Sequence, residues 1–370
     1  MEKMGKTAGI IGWFGDGPRF AGGESDKVKS IKTLCQHLYT DLEMVTTDGW
    51  KRKPFAFFRS IKRMIKRSDD IFIVVSTGGT THLLPIINWL NKHRRKRLYY
   101  VMVGIGTFKF ETGKKNASLS DITSFVQNSS KWKSGNKIIK KNLCKMDCVF
   151  VETKTLKRMC ETIYGLPKVV FLNNFRPLSD VHDAFVAKQY VNSSFVHLVF
   201  FARVCPAKGI DDLIAAFDQL PKDYQDRCDI DIYGMVQDFA EEWFKGLVLP
   251  TNMKYKGVIL EDKAKVLAKY DCMIFPTHYI EGVPGTVIDC RFAGLPLICS
   301  NFTFASDLVS EGVDGFIYEY GNPNSLKTTL MKILDNPSLL TKLSENSYRR
   351  IDEFTEKTVL PIFQDALSRD

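Results

Sequence analysis

The amino-acid sequence predicts an α/β protein built from two Rossmann-like domains. Short apolar segments alternate with helical segments, and this alternation occurs once in each half of the chain. The apolar segments are continuous, which is typical of parallel strands covered by helices on both faces. The chain has 370 residues, enough for two domains of ordinary size.

The first half begins with a strand, a glycine-rich loop at 15–24 and a helix. Residues 104–137, rich in Gly, Lys, Ser and Asn, are predicted as a long loop with broken helix. The predicted strands are 9–13, 71–75, 98–103, 148–151 and 169–172, and the regular helices are 27–38, 83–93 and 155–163.

The second half repeats the alternation. Its predicted strands are 197–201, 229–233, 253–255, 272–275, 297–300 and 315–318, and its helices are 210–219, 238–247, 263–269, 287–293 and 324–334. The polar segment 187–194 is the predicted junction, which gives domains at 1–190 and 191–370. Open α/β sheets bind ligands beyond the carboxyl ends of their strands, so we expect the site in a cleft between the domains.

Composition excludes several classes of protein. Hydrophobic residues make up 44% and charged residues 25%, as in a globular domain. No apolar run approaches the ~18 residues of a membrane span, and Gly, Asp and Pro interrupt the N-terminal apolar stretch, unlike a secretory signal. The nine cysteines are sparse and lie mostly in apolar runs, which argues against a disulfide scaffold. We therefore expect a cytoplasmic protein.

Charge is distributed unevenly. Residues 1–190 contain 34 basic and 16 acidic residues, whereas the remainder has an acidic excess within a total net charge of +10. The segment from Trp50 to Ser68 has eight Lys or Arg and no acid, with apolar residues at helical spacing. It predicts a basic amphipathic helix on an anionic membrane surface. The alternative is that its apolar stripe packs on the protein's own sheet. A nucleic-acid partner is not expected, because no zinc-finger, RRM or helix-turn-helix pattern is present.

Two motifs in the second half contain candidate binding and catalytic residues. Arg203 and Lys208 follow the strand 197–201 and precede a helix, a position suited to binding a diphosphate. The spacing R-x4-K alone is common, and solvated loop charges would also explain it.

The second motif, from Phe275 to Ser300, is more specific. Glu281 follows a strand, and a helix is predicted to begin near Thr286 with Asp289 one turn inside it. The N–H groups of Thr286 and Val287 are expected to face an anion. The two carboxylates suit hydrogen bonds from the hydroxyls of a sugar and a ribose, although Asp289 would also favour the helix dipole.

In order and spacing, these motifs resemble the nucleotide-sugar site of the retaining glycosyltransferases of family 4, which have the GT-B fold. The likeness covers about residues 196–320. It implies two Rossmann-like domains facing each other across a cleft, with the donor site mostly in the second and the last helix, 354–367, packing back on the first.

The resemblance also assigns roles. It implies that Arg203 and Lys208 hold the donor diphosphate, that Glu281 contacts the donor sugar and that Asp289 contacts the ribose. Backbone groups in the loop would approach the sugar and phosphates. This donor-binding set is Gly282, Val283, Gly285, Thr286, Val287 and Asp289, with Gly22 and Gly23 in the first-domain loop; a tight surface turn is the competing interpretation of those two glycines.

Three positions depart from the family pattern. The second acid is Asp289 rather than Glu, and Pro284 stands where many members have glycine, which removes an N–H group. The first-domain histidine of many members is absent after the strand 98–103. His82 lies in a different loop, where a lone histidine is more often structural.

The function that the resemblance implies is a metal-independent, retaining hexosyltransferase without a cofactor. It would move a sugar from a nucleotide diphosphate, with UDP favoured, to a glycan or lipid-linked acceptor in surface polysaccharide or lipopolysaccharide synthesis. We expect it at the inner face of the membrane. The alternatives are a soluble transferase with a small-molecule or protein acceptor, and a catalytically inactive GT-B binding subunit. Asp229-Ile230-Asp231 lies in a predicted strand, where alternation explains it better than a metal site.

Overall fold

The computed structural model describes residues 6–15, 23–104, 117–128, 130–176, 187–191 and 194–368. The chain divides into two compact units: unit 1 comprises Met1–Arg176 and Thr355–Asp370, and unit 2 comprises Pro177–Phe354. Each contains a parallel six-stranded sheet with helices, so the predicted α/β class is confirmed. Within the described residues, no helix combines the length and the apolar character that crossing a bilayer requires.

Unit 1 has the strand order β2-β1-β3-β4-β5-β6. Its strands are β1 (Thr7–Gly12), β2 (Asp41–Thr46), β3 (Asp70–Val74), β4 (Arg97–Val101), β5 (Cys148–Val151) and β6 (Val169–Phe171). Its helices before unit 2 are α1 (Gly23–Leu38), α2 (Pro54–Arg67), α3 (Thr77–Asn91), α4 (Leu119–Asn128), α5 (Ser130–Leu143) and α6 (Lys154–Arg158), the last continued by a π-helical turn at Met159–Ile163.

Two elements of unit 1 differ from the sequence prediction. Strand β2 was not predicted, because it is an edge strand with mostly exposed or half-buried side chains and lacks the apolar run of a central strand. The region 104–137, predicted as a long loop with broken helix, contains helix α4 and the first half of α5, which are regular helices. Their lysines and serines conceal an apolar face that includes Ile122, Ile139 and Leu143, all buried.

Helix α2 is the predicted basic amphipathic helix, and its apolar stripe packs inside unit 1. Ile61, Met64 and Ile65 are fully buried, and Gly9 on β1 leaves the space that the Met64 side chain occupies. Phe55, in the first turn, is 89% exposed. The alternative interpretation therefore holds for the stripe, and the basic face together with Phe55 is what α2 presents outward.

Unit 2 has the strand order β12-β11-β10-β7-β8-β9, the arrangement of a dinucleotide-binding Rossmann sheet. Its strands are β7 (Val196–Phe201), β8 (Cys228–Tyr233), β9 (Met253–Gly257), β10 (Cys272–Phe275), β11 (Leu297–Ser300) and β12 (Gly315–Tyr318). Its helices are α7 (Ile210–Asp218), α8 (Lys222–Gln225), α9 (Glu241–Lys245), α10 (Lys263–Leu267), α11 (Gly285–Phe292), α12 (Ala305–Leu308), α13 (Pro323–Asp335) and α14 (Leu339–Arg349).

The division between the units differs from the predicted one after residue 190. Lys188 Nζ and Tyr190 Oη both donate to the Asp271 carboxylate, each at 2.7 Å. Because Asp271 immediately precedes β10, these bonds attach the polar segment to unit 2. The segment was predicted as the junction because it is polar. Two of its polar side chains instead pair with the buried Asp271.

The C-terminal helix α15 (Glu356–Ser368) belongs to unit 1. Phe363 lies between Phe72 and Phe150, with ring centroids 5.2 Å and 5.3 Å away. Arg97 Nη1 also donates to the Leu367 carbonyl oxygen at 2.7 Å. The last helix is thus part of the core of the first sheet.

Candidate functional site

The loops after β7 and β10 form the candidate site of unit 2. These two strands are neighbours in the sheet although β8 and β9 lie between them in the sequence, so the chain reverses direction across the sheet between them. Such a switch point opens a crevice at the carboxyl ends of the strands, where doubly wound sheets bind ligands. The Arg203–Lys208 motif follows β7, and the Glu281–Asp289 motif follows β10.

Lys208 is the central cation of this site. It ends a 3₁₀ turn, Pro206–Lys208, and is only 5% exposed. Its ammonium forms an ion pair with Glu281 and lies 5.5 Å and 5.1 Å from the ring centroids of Phe275 and Tyr279. The structure therefore brings together the cation and the acid that the two separate motifs supplied.

Glu281 is held from a second side. Thr277 Oγ1 donates to Glu281 Oε1 at 3.1 Å, and the Thr277 carbonyl oxygen accepts a bond from Ser300 Oγ at 2.6 Å. These bonds run from β11 through the loop to the carboxylate. The position of Glu281 is thus linked to the sheet by side-chain hydrogen bonds.

Two residues that the sequence analysis did not select join the two loops. His278 Nε2 and Asp212 Oδ2 are 2.7 Å apart, and the His278 backbone N–H donates to the Ala207 carbonyl oxygen at 2.9 Å. The ring of Tyr320 packs 5.1 Å from that of His278. The available signals in the sequence were a histidine three residues before Glu281 and an acid four residues after Lys208. Neither of them indicates by itself that the two side chains pair.

Gly209 permits the close approach of the loops. Its φ is +75°, and a Cβ atom there would lie 1.8 Å from the Pro276 carbonyl oxygen. A side chain would therefore force the loop after β10 away from Lys208.

Helix α11 supplies backbone donors to the site. It begins at Gly285, slightly before the predicted start, after Pro284, and no side chain caps it. The first N–H groups of a helix lack intrahelical partners. In α11 these backbone donors are the N–H groups of Gly285 and Thr286. The Val287 N–H donates to the Pro284 carbonyl oxygen at 3.1 Å, so the expectation that it faces an anion does not hold in this structure. Gly282 and Val283 are buried in the preceding loop.

Asp289 lies one turn inside α11 and is 8% exposed. Lys263 Nζ, at the start of α10, is 3.5 Å from Asp289 Oδ2. This carboxylate is therefore paired on one side of the helix, which is compatible with either a ribose contact or a structural role.

Behind α11, a buried ionic network fixes the helix. Arg291 donates to Asp314 at 3.1 Å, and Arg350 donates to the same Oδ2 at 2.6 Å. Both arginines also bond to the Leu308 carbonyl oxygen. Burial lowers the pKa of Arg291 to about 10, and the positive charge of Arg350 acts in the same direction.

The remaining predicted residues have these positions. Arg203 is exposed and makes no ion pair with any residue that the structure describes. Gly22 lies outside the described residues, and Gly23 begins α1. His82 is exposed on α3.

The Asp229-Ile230-Asp231 sequence lies on β8, with Asp229 bonded to His197 at 2.9 Å and Asp231 to Tyr270 at 2.7 Å. Across the described part of the chain, His, Cys, Asp and Glu form no group of three or more that could hold a metal ion.

Unit 1 has a polar cluster that the sequence analysis missed. Lys27, on α1, is paired with Glu152 at 3.3 Å and bonded to Asn174, which donates to Glu152 at 3.0 Å. Glu152 follows β5 and Asn174 follows β6, so the cluster lies at the carboxyl edge of this sheet. Burial lowers the pKa of Lys27, while Glu152 opposes that shift.

Unit 2 is similar in sequence to a known protein family. Residues 183–350, just under half of the chain, match the model for Glycosyl transferases group 1. The matched segment lies within unit 2. An uncharacterised glycosyltransferase of Methanocaldococcus jannaschii is 22% identical over 304 residues, covering 80% of this chain and 74% of its own. The capsular polysaccharide biosynthesis glycosyltransferase CapM of Staphylococcus aureus is 26% identical over 166 residues, covering 44% and 42%.

Solved structures extend the likeness to the whole chain. HepE of Anabaena, crystallised with UDP, superposes with a TM-score of 0.69 at 16% identity, covering 98% of this chain and 99% of that one. Sucrose-phosphate synthase of Thermosynechococcus elongatus gives a TM-score of 0.68 at 14% identity, covering 98% of both chains. The chain has the GT-B fold. With the domain match, this supports a GT-B glycosyltransferase.

Proposed function

We propose that the protein is a retaining glycosyltransferase that moves a sugar from a nucleotide diphosphate, UDP foremost, to a glycan. The acceptor is lipid-linked and belongs to surface polysaccharide or lipopolysaccharide synthesis. The observation that carries the proposal is the Lys208–Glu281 pair, held at the switch point of unit 2 beside the start of α11.

The names of related proteins support the donor and acceptor classes. HepE has been crystallised with UDP and with UDP-glucose. Curated relatives include a poly(glycerol-phosphate) alpha-glucosyltransferase of Bacillus subtilis, 20% identical over 233 residues. They also include an Escherichia coli galactosyltransferase, 28% identical over 103 residues, whose named substrates are UDP-Gal and a GlcNAc-diphosphoundecaprenol.

In the proposed reaction, the bond between the anomeric carbon and the β-phosphate oxygen breaks. A bond from that carbon to the acceptor oxygen forms on the same face, and the acceptor proton passes to the departing diphosphate. Negative charge grows on the β-phosphate, where Lys208, Arg203 and the first N–H groups of α11 stabilise it. These groups are the chain's own, so the scheme needs no metal ion.

Glu281 has a separate task in this scheme. Its carboxylate, held by Thr277, accepts hydrogen bonds from the hydroxyls of the donor sugar and so orients the anomeric carbon. Asp289, at the next turn, contacts the ribose. Lys208 pairs with Glu281 in the structure, and a bound diphosphate would share the ammonium with that acid.

We also propose peripheral attachment to the inner face of the membrane. The basis is the exposed basic face of α2, which includes Arg59, Lys62 and Lys66, rather than its apolar stripe, which is buried. Such attachment relies on anionic lipid and weakens as salt rises.

The decisive experiment is calorimetric titration with UDP, GDP and ADP in buffer without added metal. We expect UDP to bind most tightly, and Lys208→Ala to lose about tenfold or more, the value of one charge-assisted hydrogen bond. Lys222→Ala is the matched control, because Lys222 is an exposed lysine of the same unit on α8. Absence of binding by all three nucleotides would favour the inactive binding subunit. The anomeric configuration of the product, read by NMR, tests retention.

A further inference from the structure

Unit 1 contains a basic pocket that the donor scheme does not use. It lies between the carboxyl end of β2 and the first turns of α2, and its volume is about 470 Å³. That volume is within the usual range for small-molecule sites. Its charged lining residues are Asp48, Arg52, Lys53 and Arg63, and Trp50 contributes an aromatic ring.

The cations of this pocket are unpaired as far as the described part of the chain shows. Arg67, also on α2, pairs with Glu43 at 3.0 Å, whereas Arg52, Lys53 and Arg63 form no ion pair with any residue that the structure describes. Asp48 is the one acid among the lining residues, which include three cations. The pocket therefore has a net positive charge that an anionic ligand would neutralise.

The start of α2 increases this positive charge. Helix N-termini carry a partial positive charge and are usually stabilised by acids or by a side-chain cap. Here the first turn has no acid, the N-cap residue Lys53 makes no side-chain cap bond, and Arg52 precedes it. Cations at this end of a helix oppose its dipole, so the arrangement favours an anion in the adjoining pocket.

An aromatic ring completes the lining. Trp50 packs against Phe57 with ring centroids 5.7 Å apart and remains half-buried at the pocket. The pocket thus combines phosphate-binding side chains with an apolar surface. A phosphate joined to a sugar or to glycerol has a negative charge for the cations and a neighbouring group that can pack against the aromatic ring.

We propose that this pocket binds the phosphate of the acceptor, a phosphodiester or diphosphate attached to a glycan. Arg52 and Arg63 offer bidentate donors and Lys53 a point charge, while Trp50 contacts the adjoining sugar or glycerol. The identity of this ligand as the acceptor rests on the proposed function. The binding itself does not, because it needs no donor nucleotide.

The test compares two triple variants that remove the same charge from the same region. The pocket variant is Arg52→Gln/Lys53→Gln/Arg63→Gln, and the face variant is Arg59→Gln/Lys62→Gln/Lys66→Gln. The soluble probes are a glycerol-phosphate oligomer and a diphosphate-linked N-acetylglucosamine with a short alkyl chain. Vesicles of phosphatidylcholine, with and without phosphatidylglycerol, report binding to a lipid surface. All titrations are made near physiological salt, where long-range charge effects are screened.

We expect the wild type to bind at least one soluble phosphate probe. The pocket variant should lose about tenfold or more in affinity, and the face variant should stay within about threefold. Preference for the oligomer would identify a free phosphoglycan as the source of the phosphate, and preference for the diphosphate would identify a lipid-linked one. Trp50→Leu should weaken the sugar-bearing probe more than the glycerol-phosphate oligomer.

Several results would overturn the proposal. The pocket variant could bind the probes as the wild type does, or the wild type could bind neither probe. Both variants could lose the same affinity for the soluble probes, which would indicate general charge attraction. The pocket variant could keep the soluble probes and lose only the anionic vesicles, which would make a lipid surface the occupant. Thermal unfolding and UDP titration of each variant control for folding; if UDP binds to no form, the proposed function fails while the pocket result stands.

Discussion

Replacing Gly209 with alanine tests whether the close approach of the two loops creates the donor site. At this position φ is +75° and the new Cβ would lie 1.8 Å from the Pro276 carbonyl oxygen. The loops would have to separate by about 1.2 Å before that distance reached 3.0 Å, the lower limit of real Cβ contacts. A misplacement of about 1 Å at an active site can reduce the reaction rate on the order of 100-fold.

The matched control is Gly312→Ala in the same unit. Gly312 has φ of +69°, and a Cβ atom added there would meet nothing within 4 Å. Both substitutions share the left-handed backbone cost of about 1–2 kcal/mol. Gly209→Ala adds the overpacking of two backbones, about 1–3 kcal/mol more. We therefore expect its free energy of unfolding to fall further than that of Gly312→Ala.

Two measurements check this prediction: urea unfolding of both variants and calorimetric UDP affinity. We expect Gly209→Ala to lose UDP binding and Gly312→Ala to keep it. Equal stability losses together with equal UDP affinities would refute the claim that the approach of Gly209 to Pro276 builds the site.

Three further predictions concern residues outside the donor-contact set. A double-mutant cycle of Asp212→Ala and His278→Ala should give a coupling of about 0.5–3 kcal/mol in urea unfolding, the range for groups in direct contact, and additive losses would contradict the pairing. Asp314→Leu should destabilise the protein by about 3–5 kcal/mol, because it leaves Arg291 buried without its acid; a loss below about 1 kcal/mol would refute the role of the network. Burial raises the pKa of Tyr164, so its folded pKa exceeds the unfolded one and stability should fall as pH rises above the unfolded value near 10. Tyr164→Phe should lower that slope by up to about 1.4 kcal/mol per pH unit in unfolding measured between pH 9 and 11, and an unchanged slope would contradict the prediction.

The donor motifs could be predicted from the sequence because each is local. Lys208 follows its strand directly, and Glu281 and Asp289 lie on one loop and its helix. Apolar runs likewise revealed the central strands, whose burial on both faces leaves a continuous pattern. Edge strand β2 lacks that pattern, since its residues are mostly exposed or half-buried.

Contacts between distant residues could not be predicted in the same way. Asp212 and His278 are 66 residues apart, and Lys27 and Asn174 are 147 apart. Nothing in either local sequence specifies the partner. For α2, the helical period showed which residues share a face, but it did not show that Met64 packs against Gly9 of β1, which is 55 residues away in the sequence.

The position of α15 has a consequence for the order in which the chain folds during synthesis. Unit 2 is one continuous segment, 177–354, whereas the core of unit 1 needs Phe363 from the last helix. A ribosome makes the six strands of unit 1 first, yet Phe72 and Phe150 acquire this packing partner only after all of unit 2 has been made. The part of the first sheet that α15 covers therefore stays exposed while unit 2 is synthesised. Unit 1, whose strands are made before unit 2, completes its core only after unit 2.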